Sequence, residues 1–169
     1  YLLISNVDFF TTQKFLGRKI KVNNQNLSTS CLVFYWGIER EFPSLLLHNI
    51  IFTSDYKREF EEILKKKLIR DPSIYINISS KMDKSHAPDG CENWFVMINL
   101  PADVNAINDV MVKKLRNVIV NKISAYLKIN IEPLIRVEEM LTPIDVQNRT
   151  GSYNGCLLYT SPSPRDQLT

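Results

Sequence analysis

The stretch "SCLVFYWGIEREFP", Ser30–Pro43, decides the fold of this chain. Its first nine residues are apolar, aromatic or small, and they include the β-branched and aromatic types that fit a pleated surface. Alternation sets Leu32, Phe34, Trp36 and Ile38 on one face, with Cys31, Val33 and Tyr35 on the other. Glu39, Arg40 and Glu41 then end the run. This pattern predicts a core strand over Cys31–Ile38 whose far end leaves for water.

The neighbours of that strand follow from the same periodicities. "YLLIS" (Tyr1–Ser5), ended by a turn signal at Asn6–Asp8, reads as a short buried strand, and Phe9–Leu16 as a short helix stopped by Gly17. The polar run from Gly17 to Ser30 reads as a surface loop. Asn49–Phe52 is a second short strand. "SDYKREFEEILKKKLI", from Ser54 to Ile69, predicts a helix capped by Ser54 or Asp55, with Tyr56, Phe60, Ile63, Leu64 and Leu68 on one face. Its glutamates precede its lysines, the order the helix dipole favours, and the triple lysine reads as a solvated helix end. Ile74–Ile78 and Trp94–Leu100 alternate as strands, and the Pro/Asp/Gly/Ser-rich connection between them predicts an antiparallel hairpin with a long loop.

"NAINDVMVKKLRNVIVNKISAYL", starting at Asn105, predicts an amphipathic helix through Ile107, Val110, Met111, Leu115, Val118, Ile119, Ile123 and Tyr126. Leu134–Met140 reads as a final strand. Thr142 as N-cap, Pro143 at the first helical position and Asp145 three residues after the cap predict a short helix to about Arg149. The sum is an α+β fold, a mixed, largely antiparallel sheet flanked by helices.

Bulk properties narrow the function classes. The 169 residues are 44% hydrophobic and 23% charged, as expected of one globular domain. A net charge of +3, from 21 basic against 18 acidic residues, with no basic stripe interleaved with aromatics, gives no argument for nucleic acid. Cys31, Cys91 and Cys156 stand far apart and form no CxxC, which points to a reduced, cytoplasmic setting. No run of about 18 apolar residues offers a membrane span. The chain starts at Tyr1 rather than Met and is expected to be a piece of a longer product. Residues 156–169, "CLLYTSPSPRDQLT", have no periodicity, read as the translation of a sequencing-library adapter, and are set aside from the functional reading.

Motif chemistry is thin. His48 and His86 form neither HxxxH nor HExxH, so no metal site is expected. GxSxG is absent, and none of the five glycines forms GxG, so no phosphate cradle lies here. Glu138 and Glu139 point to opposite faces of a strand, which argues against joint acid–base work. The strands say more. Opposite the aliphatic face lie Cys31, Val33 and Tyr35, then Tyr75, Asn77 and Ser79, then Phe95, Met97 and Asn99. Such a face is too apolar for open solvent and too mixed for a sealed core. It reads equally as a second core layer or as the wall of a cavity for a large apolar ligand.

Taken in order, "LLISNVD", "SCLVFYWGIEREFPSLLLHNIIFTSDYKREFEEIL", "DPSIYINISSKMDKSHAPDGCENWFVMINLPA" and "LTPIDVQNRTGSYNG" resemble the carotenoid (phytoene-type) desaturases of the FAD-dependent amine-oxidase-like superfamily, nearest the hydroxycarotenoid desaturase-like branch. The resemblance covers nearly all of residues 1–155. It implies an FAD-dependent oxidoreductase that removes hydrogens from a polyene, passes a hydride to flavin and docks peripherally on a membrane. Residues 1–8 would end a flavin-domain strand, 9–140 form a substrate-binding domain and 141–155 return toward the flavin. It implies substrate-pocket roles for Tyr35, Tyr75, Asn77, Phe95 and Met97, and cofactor-proximal places for Asn6, Tyr153 and Asn154, with FAD bound mainly by segments outside this chain and the piece inactive alone. The catalytic residues stay unassigned. A saturase, isomerase or amine oxidase of the same superfamily is the alternative, and a non-catalytic α+β binding module the second.

Overall fold

A computed structural model describes residues 4–5, 7, 9–18, 27–105 and 107–157. In chain order the elements are α1 (Phe9–Phe15), β1 (Thr29–Ile38), β2 (His48–Ile51), α2 (Tyr56–Leu64), β3 (Ile74–Asn77), β4 (Glu92–Pro101), α3 (Asp109–Leu127), β5 (Ile135–Leu141) and α4 (Pro143–Thr150). The five strands form one sheet in the order β2-β3-β4-β1-β5. Every pairing among the described residues is antiparallel. The α+β fold is therefore as expected, with no parallel component in the sheet. Most of the stretch read as an opening strand, Tyr1–Ser5, lies outside the described residues.

β1 sits between β4 and β5, and its alternation works as read. Leu32, Phe34, Trp36 and Ile38 are buried with Ile74, Ile76, Ile78, Val96, Ile98 and Leu100 in one core. Two helices pack on that core: α3 contributes Val112, Leu115, Ile119, Val120 and Ile123, and α2 contributes Ile63. Burying side chains of this kind stabilises by roughly 1.5–3 kcal/mol each before conformational entropy is charged against it. Two positions expected on the buried stripe, Val110 and Tyr126, are exposed, and Val112 and Val120 take part instead. The apolar residues of α3 wrap well over half its circumference, so periodicity alone leaves the centre of the stripe undefined.

α2 is shorter than its sequence predicts. It ends at Leu64, and Lys66 adopts a left-handed backbone (φ 52°), so Leu68 lies outside the helix. Tyr56 and Leu64 are exposed, whereas Glu59 and Ile63 are buried. The early stop lets the chain bury Ile69. Glu59 tolerates burial because its carboxylate accepts from Ser73 N and Ser73 Oγ, both at 2.7 Å. Asp55 rather than Ser54 is the N-cap, accepting from Arg58 N at 3.0 Å.

The second face of the sheet is covered only in part. On β1, residues 30–34 are all buried, but Tyr35 is 42% exposed and Gly37 half-buried. The cover over the first half is α4, whose Val146 packs with Cys31, Val33, Phe95, Met97 and Leu141. α4 begins as predicted, with a capping box between Thr142 and Asp145 and Pro143 in the first turn. Gly37 stands at an irregularity in the β1–β5 register, where a glycine suits a locally disrupted ladder. Beyond Ile38, Glu39, Arg40 and Glu41 are exposed. Glu39 pairs with Arg136, and Lys84 sits 2.6 Å from Glu41.

Candidate functional site

Strand register turns the uncovered face into ordered rows. Across the sheet run Glu139, Tyr35, Phe95, Asn77 and His48 as cross-strand partners, and beside them Leu141, Val33, Met97, Tyr75 and Ile50. The five residues expected to line a substrate pocket, Tyr35, Tyr75, Asn77, Phe95 and Met97, thus share one sheet face as contiguous neighbours. The rings touch: Tyr35 meets Phe95 edge-on at 5.5 Å between centroids, and Tyr75 meets Phe95 at 6.2 Å. Edge-to-face contacts of this kind fix ring orientation beyond simple burial.

Over the uncovered end lies a groove of about 570 Å³. Tyr35, Asn77 and Phe95 line it, together with Gly37, Ser79, His86, Pro88, Asn93, Val137 and Glu139. Tyr75 and Met97 belong to the same face but do not line the groove. Gly37 lies level with the floor: a Cβ placed there would stand 3.2 Å from Val137 Cβ. The volume is of the size usual for small-molecule clefts, and the lining is mostly apolar.

Polar groups gather at one side, where the connection after β3 folds back. Asn93 donates from Nδ2 to Ser79 Oγ at 2.7 Å, and Ser80 N donates to Asn93 Oδ1 at 2.9 Å. His86 Nδ1 lies 2.9 Å from Ser79 Oγ. On the neighbouring strand, His48 Nδ1 lies 2.7 Å from the Tyr75 hydroxyl. The connection is anchored below by Lys81, whose Nζ is 2.5 Å from the buried carboxylate of Glu92. That carboxylate also accepts from Phe42 N at 2.9 Å and Trp94 Nε1 at 2.8 Å. Under α4, burial pushes the Cys31 thiol above its ordinary range, so this cysteine is a poor nucleophile. Among the described residues no group of three His, Cys, Asp or Glu side chains is placed to hold a metal.

Sequence reading misses Gly37, His86, Asn93, Val137 and Glu139. Starting β4 at Trp94 rather than Glu92 omits Asn93, although extending the alternation by one same-face step would reach it. His86 is carried by a 3-10 turn (Lys84–His86) that has no periodic signature.

The residues expected near a cofactor lie elsewhere. Asn6 is outside the described residues. Tyr153 packs against Phe10 at 4.9 Å, and Asn154 N donates to Gln147 Oε1 at 2.9 Å. Beside them a smaller cavity of about 370 Å³ opens between α1 and α4, sharing no lining residue with the groove. Gly155 has a left-handed backbone, and any Cβ there would collide with the Pro143 carbonyl. Its compactness therefore serves packing against α4 rather than an open phosphate cradle. These residues do not fit the pyrophosphate of a dinucleotide.

Compared with curated proteins, the chain is 46% identical over 161 residues to a 1-hydroxycarotenoid 3,4-desaturase of Flavobacterium sp. (strain P99-3), covering 92% of this chain and 33% of that protein. The chain belongs to the carotenoid desaturase family. It is 27% identical over 188 residues to the phytoene desaturase of Fusarium fujikuroi, covering 96% of this chain and 33% of the relative. With a 4,4'-diapophytoene desaturase of Staphylococcus haemolyticus it shares 28% identity over 149 residues, covering 85% of this chain and 30% of the relative. The chain spans about a third of the length of the curated relatives it matches. Scanned against models of known protein families, it matches none.

Proposed function

We propose that this chain supplies the substrate-binding part of an FAD-dependent carotenoid desaturase, an oxidoreductase that removes hydrogens from adjacent carbons of a polyene. The observation that carries the reading is the half-covered sheet face. Tyr35 and Phe95 stand beside a mostly apolar groove there, in a chain whose relatives are named for carotenoid desaturation. A polyene offers no charged handle, so rigid rings and aliphatic walls are what can orient it and exclude water. Tyr35, Phe95 and Asn77 would contact the substrate, while Tyr75 and Met97 support Phe95 from the next row. The cofactor of this reading is FAD, which supplies the hydride acceptor. Among the described residues none builds a cradle for it, and the reading assigns FAD chiefly to other parts of the protein.

A substrate dissolved in lipid also implies a protein that reaches the bilayer surface. Among the described residues no helix is long and apolar enough to cross a membrane. Phe52, Tyr56 and Leu64 are exposed near the exposed lysines of α2 and its end, which supports peripheral attachment.

The test is product analysis of the complete protein in a strain that accumulates lycopene-type or hydroxylated carotenoids. The reading expects a red-shifted product lighter by two hydrogens for each bond desaturated. Conversion of an amine instead, saturation or isomerisation of the polyene, or no turnover in the presence of FAD would overturn it.

A further inference from the structure

The smaller cavity between α1 and α4 carries an unbalanced charge. Lys14 and Arg18 both line it, and no aspartate or glutamate does. From Phe9 to Ile38 the sequence holds four basic residues, Lys14, Arg18, Lys19 and Lys21, and no acidic one. The one acid of α4, Asp145, is taken up in the capping box, accepting from Thr142 N at 2.9 Å. Among the described residues neither Lys14 nor Arg18 has a carboxylate partner. Two like charges at one cavity repel each other until an anion enters. Local structure holds them there. α1 closes in a Schellman turn: Gly17, in a left-handed backbone (φ 67°), donates to the Lys14 carbonyl, and Arg18 N to the Gln13 carbonyl, both at 3.0 Å. The turn sets Arg18 beside Gln13, whose Oε1 accepts from Arg18 Nη1 at 3.4 Å. From α4, Gln147 Oε1 accepts from Asn154 N at 2.9 Å. Each amide is thereby oriented by its oxygen, and its NH2 group has no acceptor among the described residues.

The capacity left open at this cavity is two cations and two amide NH2 groups, all of them donors. An oxyanion matches such a set, because its oxygens only accept and a guanidinium can bond two of them side by side. A neutral ligand leaves both charges unpaired, and a cation adds a third. A phosphate monoester answers it more fully than a carboxylate, having three terminal oxygens and about two charges at neutral pH. The pyrophosphate of a flavin carries only one charge per phosphorus. We propose that Lys14, Arg18, Gln13 and Gln147 bind a phosphate monoester at a site apart from the polyene groove. The cavity, of about 370 Å³, admits the phosphate together with part of the molecule that carries it. Two sources share this chemistry. One is a soluble phosphate ester; the other is the headgroup of a lipid such as phosphatidic acid, whose chains the exposed Phe15 and Leu16 beside the cations would meet.

The experiment uses the complete protein with FAD in excess, and its readout is binding, which stands whether or not a polyene is turned over. Calorimetry with glycerol 3-phosphate at fixed ionic strength reads the soluble ester. Flotation with vesicles containing phosphatidic acid, against vesicles of equal surface charge made with phosphatidylglycerol, reads the lipid. Saturable binding is expected for at least one probe, weakened about tenfold or more in Lys14→Gln and in Arg18→Gln, the worth of one charged hydrogen bond. Arg18→Lys, which keeps the charge but not the paired donors, should fall between. Lys114→Gln, on the exposed side of α3, should change nothing. All three substituted positions are exposed, and matched melting curves establish that the variants fold. Soluble binding alone assigns a free ester, and flotation specific to phosphatidic acid assigns a headgroup; either supports the site. Four results overturn it: binding of neither probe, equal flotation on both vesicles without soluble binding, affinities unchanged in the Lys14 and Arg18 variants, or binding that appears only when FAD is withheld.

Discussion

Lys81→Met is expected to destabilise the chain more than any other single change in the connection that frames the groove. Glu92 is 2% exposed, and Lys81 Nζ, at 2.5 Å, is the one cation against it among the described residues. Phe42 N and Trp94 Nε1 also donate to that carboxylate, but both are neutral. Removing the ammonium leaves a buried charge with two dipoles for company, a change that costs about 3–5 kcal/mol. It also removes the 2.8 Å bond from Lys81 to the Phe42 carbonyl, adding about 1 kcal/mol. The decisive comparison is with the double variant Lys81→Met/Glu92→Gln. Neutralising the stranded carboxylate should give back on the order of 2 kcal/mol, so the double variant is more stable than the single one. Urea unfolding followed by tryptophan emission reads this directly, since Trp94 touches the site. A cost for Lys81→Met below about 1 kcal/mol, or a double variant no more stable than Lys81→Met, would refute the reasoning and mean that water reaches Glu92.

Three further outcomes are expected. Gly37→Leu places a side chain on the groove floor against Val137; overpacking should cost about 1–3 kcal/mol, and polyene turnover by the complete protein should fall at least about tenfold, as about 1.4 kcal/mol of lost binding requires. Unchanged turnover would move the substrate off this face. For Asp71, burial works against the charge, but the bond from Lys122 and those from Ser54 and Thr53 outweigh it and hold the carboxyl well below its usual range. With a folded value below the unfolded one, near 3.9, its contribution is full above that pH and is lost as pH falls through the folded range. Urea midpoints from pH 6 to 2 should therefore fall more steeply in the unmutated chain than in Asp71→Asn, and parallel curves would contradict this. Thr142→Ala removes the hydroxyl of the α4 capping box and should cost about 1 kcal/mol in the same unfolding assay.

Much of this architecture is local enough to be legible in the sequence. β1, β3 and β4 announce their buried faces by strict alternation, and the Thr142–Pro143–Asp145 start of α4 is a short-range signal that needs no partner. The end of α2 is different. Apolar spacing continues through Leu68, but burying Ile69 requires the chain to turn away after Leu64, a tertiary demand that overrides the helical period. Glu59 shows the same limit from the other side. A carboxylate on a charged helix reads as solvated until Ser73, fourteen residues later, is found donating to it twice. The groove is half legible. Tyr35, Asn77 and Phe95 follow from alternation, but that Tyr35 faces Phe95 and Phe95 faces Asn77 is a matter of register. The polar side depends on how the loop after β3 folds back, which no periodicity encodes.

The reason this face can bind while the other only stabilises lies in where α4 stops covering it. Along β1, Cys31 and Val33 are sealed beneath Val146, and two residues later Tyr35 is open. The alternating residues change character at that same step. Small side chains lie under the helix, an aromatic ring stands at its margin, and at Gly37 there is no side chain at all. Any bulk at Gly37 would close the groove against Val137, and any polar residue at Val33 would be buried under α4 without a partner. Position along one strand therefore separates what the sheet must bury to fold from what it leaves available to a ligand. It follows that the boundary should move with α4: shortening that helix would lengthen the groove toward Met97 and cost stability in the same step.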